Sequence, residues 1–196
     1  MLKVSKNFLE RFLSSVFIMI FIIIFNKKMQ FLMLFLSFLM LFEVFFAIKL
    51  AKISRLKKVV FITISVFIIL TFAFFVSKGF FLLRFILSTF VVDTSSYIGG
   101  NLIKSKKIFK ISPNKTIAGY IFGIICGSIA YYNLIEVNCF ISIMLTFSAI
   151  LGDLLVSYLK RELSIKDFSK IIPGHGGLFD RFDSLCLSYI FYNILL

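Results

Sequence analysis

The sequence predicts an all-α, polytopic integral membrane protein with about seven transmembrane helices and a cytoplasmic N-terminus. Three observations carry that prediction. The chain of 196 residues is 60% hydrophobic and holds 28 Phe, whereas soluble domains are roughly 45–50% apolar. The apolar residues fall in blocks close to the roughly 17–25 residues that span a bilayer. The basic residues collect in alternate gaps between those blocks. In lipid each span must satisfy its own backbone polar groups, which a helix does. The alternating polarity of a membrane β-barrel is absent from the sequence.

The blocks run at about 12–25, 29–48, 59–77, 80–100, 117–135, 138–158 and 179–196. The first follows Lys3, Lys6 and Arg11 and so looks like a secretory signal. It leads into Asn26 and Lys27 with no small-residue cleavage site, and reads as a retained first span. The last block reaches across only if its helix begins near Phe179, where its length comes to roughly 27 Å at about 1.5 Å per residue. No internal repeat or soluble domain is evident, so 1–196 reads as one membrane domain. Cys126, Cys139 and Cys186 are scattered through or beside apolar runs without a CxxC pair, and read as packing residues.

A net charge of +13 would suit a nucleic-acid binder, but its placement points to the membrane. With the N-terminus inside, 18 of the 22 Lys and Arg fall in cytoplasmic segments, three (Lys27, Lys28 and Lys78) fall outside, and Arg84 lies within a span. This is the positive-inside asymmetry. The two larger polar segments, 101–116 and 159–183, then both face the cytoplasm, where nucleotides are.

Ionisable groups inside spans cost roughly 2.5–3.5 kcal/mol each and usually face a partner or a cavity. Glu43, Arg84, Asp93 and Asp153 are such groups. Asp153, Ser157 and Lys160/Arg161 stand at i, i+4 and i+7/i+8, which share one helical face. That face offers a metal-binding carboxylate, a hydroxyl and two phosphate-binding cations in line. The bland alternative is a helix end with snorkelling basic residues.

The stretch "IIPGHGGLFDRFD" (171–183) holds the lone His175, three glycines, and Asp180 and Asp183 at i and i+3 where the last span begins. Gly174, Gly176 and Gly177 permit close backbone approach to a ligand. One acid there is explained by helix capping; two acids with Arg181 suit a hard divalent cation and a phosphate. His175 is either an acid/base group or a loop hydrogen-bonding residue. Upstream, Asp93 precedes a Ser/Thr cluster, and "SPNKT" (112–116) offers a turn with Lys115 but lacks the spacing of a P-loop.

These residues resemble the signature of the phosphatidate cytidylyltransferases, or CDP-diglyceride synthases. The family reads S-x-x-K-R-x-x-x-x-K-D, a short spacer, then P-G-H-G-G-x-x-D-R-x-D. Here the positions are Ser157, Lys160, Arg161, Lys166, Asp167, then Pro173, Gly174, His175, Gly176, Gly177, Asp180, Arg181 and Asp183. Weaker similarity reaches back through Gly152-Asp153, Ser112–Thr116 and Asp93–Tyr97, so the resemblance covers about 93–190. The spans of 1–92 match only generically, and 93–196 forms the signature-bearing half. Where the family usually continues Trp-Glu-Gly, this chain has Ile117, Ala118 and Gly119, so one customary acid is absent.

The resemblance implies a multi-pass inner-membrane enzyme, a homodimer, that joins CTP to phosphatidic acid, releasing pyrophosphate and CDP-diacylglycerol, with Mg²⁺. It implies metal at Asp153, Asp180 and Asp183, and catalytic roles for Lys160, Arg161, Lys166, Asp167, His175 and Arg181. Substrate binding would fall to Asp93, Ser112, Lys115, Ser157, Gly174, Gly176 and Gly177. Other readings stay open on sequence alone: a CTP-dependent transferase acting on another lipid phosphate or a polyprenol, an inactive relative, or a small transporter lined by the intramembrane charges.

Overall fold

A computed structural model of the chain describes residues 29–51, 53–78, 82–103, 105–106, 115–169 and 176–195. The expected first span, 12–25, lies outside the described residues. Six helices are present among them: α1 Met29–Leu50, α2 Arg55–Lys78, α3 Leu82–Leu102, α4 Ile117–Ile135, α5 Cys139–Glu162 and α6 Phe179–Leu195. They coincide with the six later apolar blocks, and the last begins at Phe179. By length and composition α1, α2, α4 and α5 are able to cross a membrane. The chain is therefore a multi-pass, all-α membrane protein. The described residues do not bear out the full count of seven spans.

Two helix starts are capped by their own sequence. The Thr116 hydroxyl accepts from the Gly119 N–H at the head of α4 (3.2 Å), and Asn138 Oδ1 accepts from the Ile141 N–H at the head of α5 (2.8 Å). Each satisfies a donor that the first helical turn leaves without a partner.

Sequential neighbours pack together, α1 on α2, α3 on α4, α4 on α5 and α5 on α6. Helix α6 also touches α1, α2 and α3, which makes it the hub of the bundle. Its buried residues, from Phe179 through Ile190, cover nearly its whole circumference. This position explains how a helix carrying Asp180, Asp183, Ser184 and Ser188 is stable beside lipid: protein, not hydrocarbon, surrounds those groups. Helix α1 shows the opposite pattern. Phe31, Phe35, Phe38, Phe42, Phe45 and Phe46 are exposed, while Met33, Met40, Val44 and Ile48 face inward. A belt of bare phenylalanines suits a lipid-facing surface.

The α3–α4 seam is built from small residues. A Cβ on Gly119 would lie 2.6 Å from the Ser96 carbonyl oxygen, and one on Gly127 would press on Val92 and Thr146. Removing side chains lets the two backbones meet, as small residues commonly do between membrane helices. Further along, Phe85 packs edge-on against Tyr131, Tyr189 and Tyr192 at 5.0–5.2 Å, joining α3, α4 and α6. The Tyr131 hydroxyl is satisfied there by Thr89 at 2.9 Å.

Candidate active site

The C-terminal end of α5, the N-terminal ends of α4 and α6, and Asp93 on α3 meet at one end of the bundle. Asp180, on the first turn of α6, is 2% exposed and has three partners. Lys160 Nζ reaches its Oδ1 at 2.8 Å, while the Phe168 and Gly177 amides donate to its Oδ2 at 3.0 and 2.9 Å. One carboxylate thus ties α5, the 163–169 segment and the glycine turn to the head of α6. Charge-assisted bonds of this kind are short and strong, and a carboxylate near a helix N-terminus gains from the dipole.

A second pair joins Lys115 to Asp153, linking the entry to α4 with the middle of α5. Burial alone would lower the Lys115 pKa, but Asp153 and then Asp93 outweigh it and hold the value above the ordinary 10.5. Asp183 is 5% exposed. Its Oδ1 accepts from the amide (2.7 Å) and hydroxyl (3.4 Å) of Ser184, and among the described residues it makes no ion pair. The Ser184 hydroxyl also stands 3.5 Å from Asp93 Oδ1. Asp93, Asp153 and Asp183 all lie within electrostatic reach of one another.

Glycines set this spacing. A Cβ at Gly152 would lie 2.6 Å from the Asp183 carbonyl oxygen, so α5 and α6 approach closely where the two acids face each other. Gly176 has φ +86° and packs against the Asp167 side chain, with 3.0 Å from its would-be Cβ to Asp167 Oδ1. A left-handed residue in contact with a carboxylate accounts for glycine at this position.

The remaining expected site residues take these places. Ser157 is buried on α5; Arg161, Lys166, Asp167 and Arg181 are exposed around the cluster. Ser112, Gly174 and His175 lie outside the described residues. The face proposed from spacing alone is split in the fold: Asp153 turns to Lys115 and Lys160 turns to Asp180. Sequence reasoning did not assign Glu43. This α1 carboxylate is buried, and its Oε2 accepts the Phe179 N–H at 3.0 Å. The available signal was a lone acid in an apolar helix. Arg84, whose partner was open, pairs at the opposite end with Glu136 at 3.0 Å.

The oxygen-only donors suit a hard cation such as Mg²⁺. Three carboxylates lie within reach of one another, and one of them is buried without an ion pair among the described residues, which leaves it open to a positive ion. Among the described residues, however, no three Asp, Glu, His or Cys side chains are gathered tightly enough to form a complete ligand set.

The whole chain, residues 1–196, matches the sequence model of the Cytidylyltransferase family. The chain belongs to that family. Among curated relatives, this cytidylyltransferase-family chain is 42% identical over 128 residues to the phosphatidate cytidylyltransferase of Staphylococcus haemolyticus. It is 40% identical over 128 residues to that of Staphylococcus saprophyticus and 38% identical over 128 residues to that of Staphylococcus aureus. Each match covers 58% of this chain and 49% of the relative. The chain spans about half the length of the curated relatives it matches.

Proposed function

We propose that this chain catalyses the reaction named for its relatives, CTP plus phosphatidic acid giving CDP-diacylglycerol and pyrophosphate, at a multi-pass site open to the cytoplasm. The carrying observation is the convergence of Asp93, Asp153, Asp180 and Asp183 with Lys115 and Lys160, from separate stretches of chain, at the end of the bundle that the basic residues mark as inside. Gathering at that end, where lipid headgroups and a cytosolic nucleotide meet, favours lipid-phosphate chemistry over a transport path through mid-bilayer.

In the reaction an oxygen of the lipid phosphate forms a bond to the α-phosphorus of CTP. The bond from that phosphorus to the bridging oxygen breaks, and its electron pair leaves with pyrophosphate. Such a transfer depends on alignment and on charge stabilisation. Arg161, Lys166 and Arg181, exposed around the acids, are suited to draw in and orient phosphates. Lys160 holds Asp180, and Lys115 holds Asp153, so the acids keep fixed positions as anionic substrates arrive. The Gly176–Gly177 backbone allows the nucleotide close approach. Asp153 and Asp183 would hold Mg²⁺, with Asp180 beside them. Bound there, the ion would neutralise phosphate charge and favour departure of pyrophosphate.

The test is pyrophosphate release by membranes carrying the chain, given CTP and phosphatidic acid with and without Mg²⁺, against Asp183→Asn. Release that requires lipid and Mg²⁺ and is lost in the variant is expected. Release only with another lipid phosphate or a polyprenyl phosphate would move the assignment to a different acceptor. No release with any acceptor, from protein that is present and folded, would end it. The homodimer implied by the resemblance is tested separately by the mass of the detergent-solubilised chain.

A further inference from the structure

We infer that Glu43 is a positioning residue for this site, a clamp through which helix α1 holds the glycine turn and the head of α6 in the geometry that presents Asp180. The inference rests on the proposed reaction for its catalytic consequence, but its structural half stands alone. Glu43 lies in the apolar stretch "LMLFEVFFA", 136 residues away in sequence from the atom it contacts. It is 5% exposed. Its Oε2 accepts from the Phe179 N–H, the first amide of α6, at 3.0 Å.

That amide is one of the donors a helix leaves unpaired at its start, and here a different helix satisfies it. A carboxylate at this place also meets the positive end of the α6 dipole. Its other oxygen packs directly onto Gly177: a Cβ there would overlap Glu43 Oε1, with the Glu43 carboxyl carbon 2.6 Å away. The Ser169 hydroxyl and the Leu178 amide face the same carboxylate. Gly177 in turn donates its N–H to Asp180 Oδ2 at 2.9 Å. The connections therefore run from Glu43 to Phe179 and Gly177, and from Gly177 through Asp180 to Lys160.

This arrangement accounts for two features that packing leaves unexplained. A buried acid on an apolar helix is costly unless it is hydrogen-bonded; the Phe179 N–H at the head of α6 bonds its Oε2, while Oε1 lies buried against Gly177. The second glycine of the Gly176–Gly177 pair has no room for a side chain because Glu43 occupies it, which is a reason for glycine separate from any approach of nucleotide.

The test uses the full chain in detergent and in membranes, with Glu43→Gln, Glu43→Ala and, as a control on the exposed face of the same helix, Phe42→Leu. Glu43→Gln keeps an oxygen that accepts the Phe179 N–H; Glu43→Ala does not. In amide hydrogen exchange, peptides covering 176–182 should exchange faster in Glu43→Ala by about tenfold or more, and close to wild type in Glu43→Gln and Phe42→Leu. In pyrophosphate release, Glu43→Ala should lose about ten- to a hundredfold in kcat, the scale on which small misplacements act, with little change in KM for CTP and recovery in Glu43→Gln. Unchanged exchange in Glu43→Ala, or equal acceleration in the Gln and Ala variants, overturns the clamp. An inactive wild type whose exchange follows the expected pattern would sink the proposed reaction and leave the clamp standing. Normal kcat in Glu43→Ala despite faster exchange overturns the positioning role.

Discussion

The two ends of the bundle each hold a cation–carboxylate pair at nearly the same distance, in opposite surroundings. Arg84 and Glu136 meet at 3.0 Å with side chains 48% and 74% exposed. Lys160 and Asp180 meet at 2.8 Å with side chains 11% and 2% exposed. The outer pair is largely exposed and keeps little of the desolvation that marks the inner one. The inner pair has lost its hydration and is held by further bonds from Phe168 and Gly177. Distance alone therefore says little about consequence. Burial makes the inner pair costly to assemble and costly to break, which is the cost a site accepts to keep charges in fixed places.

The comparison is broken most severely by Lys160→Met. It strands a buried carboxylate, and stability should fall by about 3–5 kcal/mol, read from denaturant unfolding in detergent, with pyrophosphate release lost. Adding Asp180→Leu should restore much of the stability and none of the activity. A single variant as stable as wild type would mean that the pair is not desolvated as described. Next in size is Gly152→Ala. Its new Cβ meets a backbone oxygen, the Asp183 carbonyl at 2.6 Å, and should cost about 1–3 kcal/mol. Gly123→Ala, in the α3–α4 seam, meets the Ser96 hydroxyl, a side-chain tip able to rotate away. It should cost less than Gly152→Ala; the reverse order would contradict the backbone contact.

The Lys115–Asp153 pair is intermediate in exposure, at 24% and 21%. The Lys115 pKa is raised on folding, so its contribution is complete below 10.5 and is lost only as the pH climbs beyond that value. With its partner carboxylates ionised, the stability difference between wild type and Lys115→Met should therefore hold from neutral pH up to that value and shrink above it. A difference that closes in the neutral range would show that another group controls the pair. The smallest effect belongs to Arg84→Ala, within about 1 kcal/mol and fading as salt rises. A loss as large as that of Lys160→Met would erase the contrast between the two ends.

Much of this was legible in the chain. The start of α6 at Phe179 followed from the length needed to reach across a membrane. Asp180 and Asp183 stood out in the glycine-rich stretch 171–183, and Asp93 and Asp153 as acids inside apolar blocks. The partner of each charge was not legible. Lys160 and Asp180 are 20 residues apart, Arg84 and Glu136 are 52, and Glu43 and Phe179 are 136. Helical spacing suggested that Asp153 and Lys160 act as one face. The fold gives each a different partner, because α5 meets the entry to α4 and the head of α6 at different heights.

By itself the sequence determined the solvent and the secondary structure, and it marked the charged and glycine-rich stretches that the fold draws together. Each of these depends on local composition: a helix in lipid bonds only to itself, and charge placement is read along the chain. The tertiary structure alone decided that α6 is the hub, that Lys160 serves Asp180 while Lys115 serves Asp153, and that an acid on α1 caps a helix far along the chain. Those outcomes depend on which helix faces contact one another, and inside a low-dielectric bundle that choice sets every charge's partner.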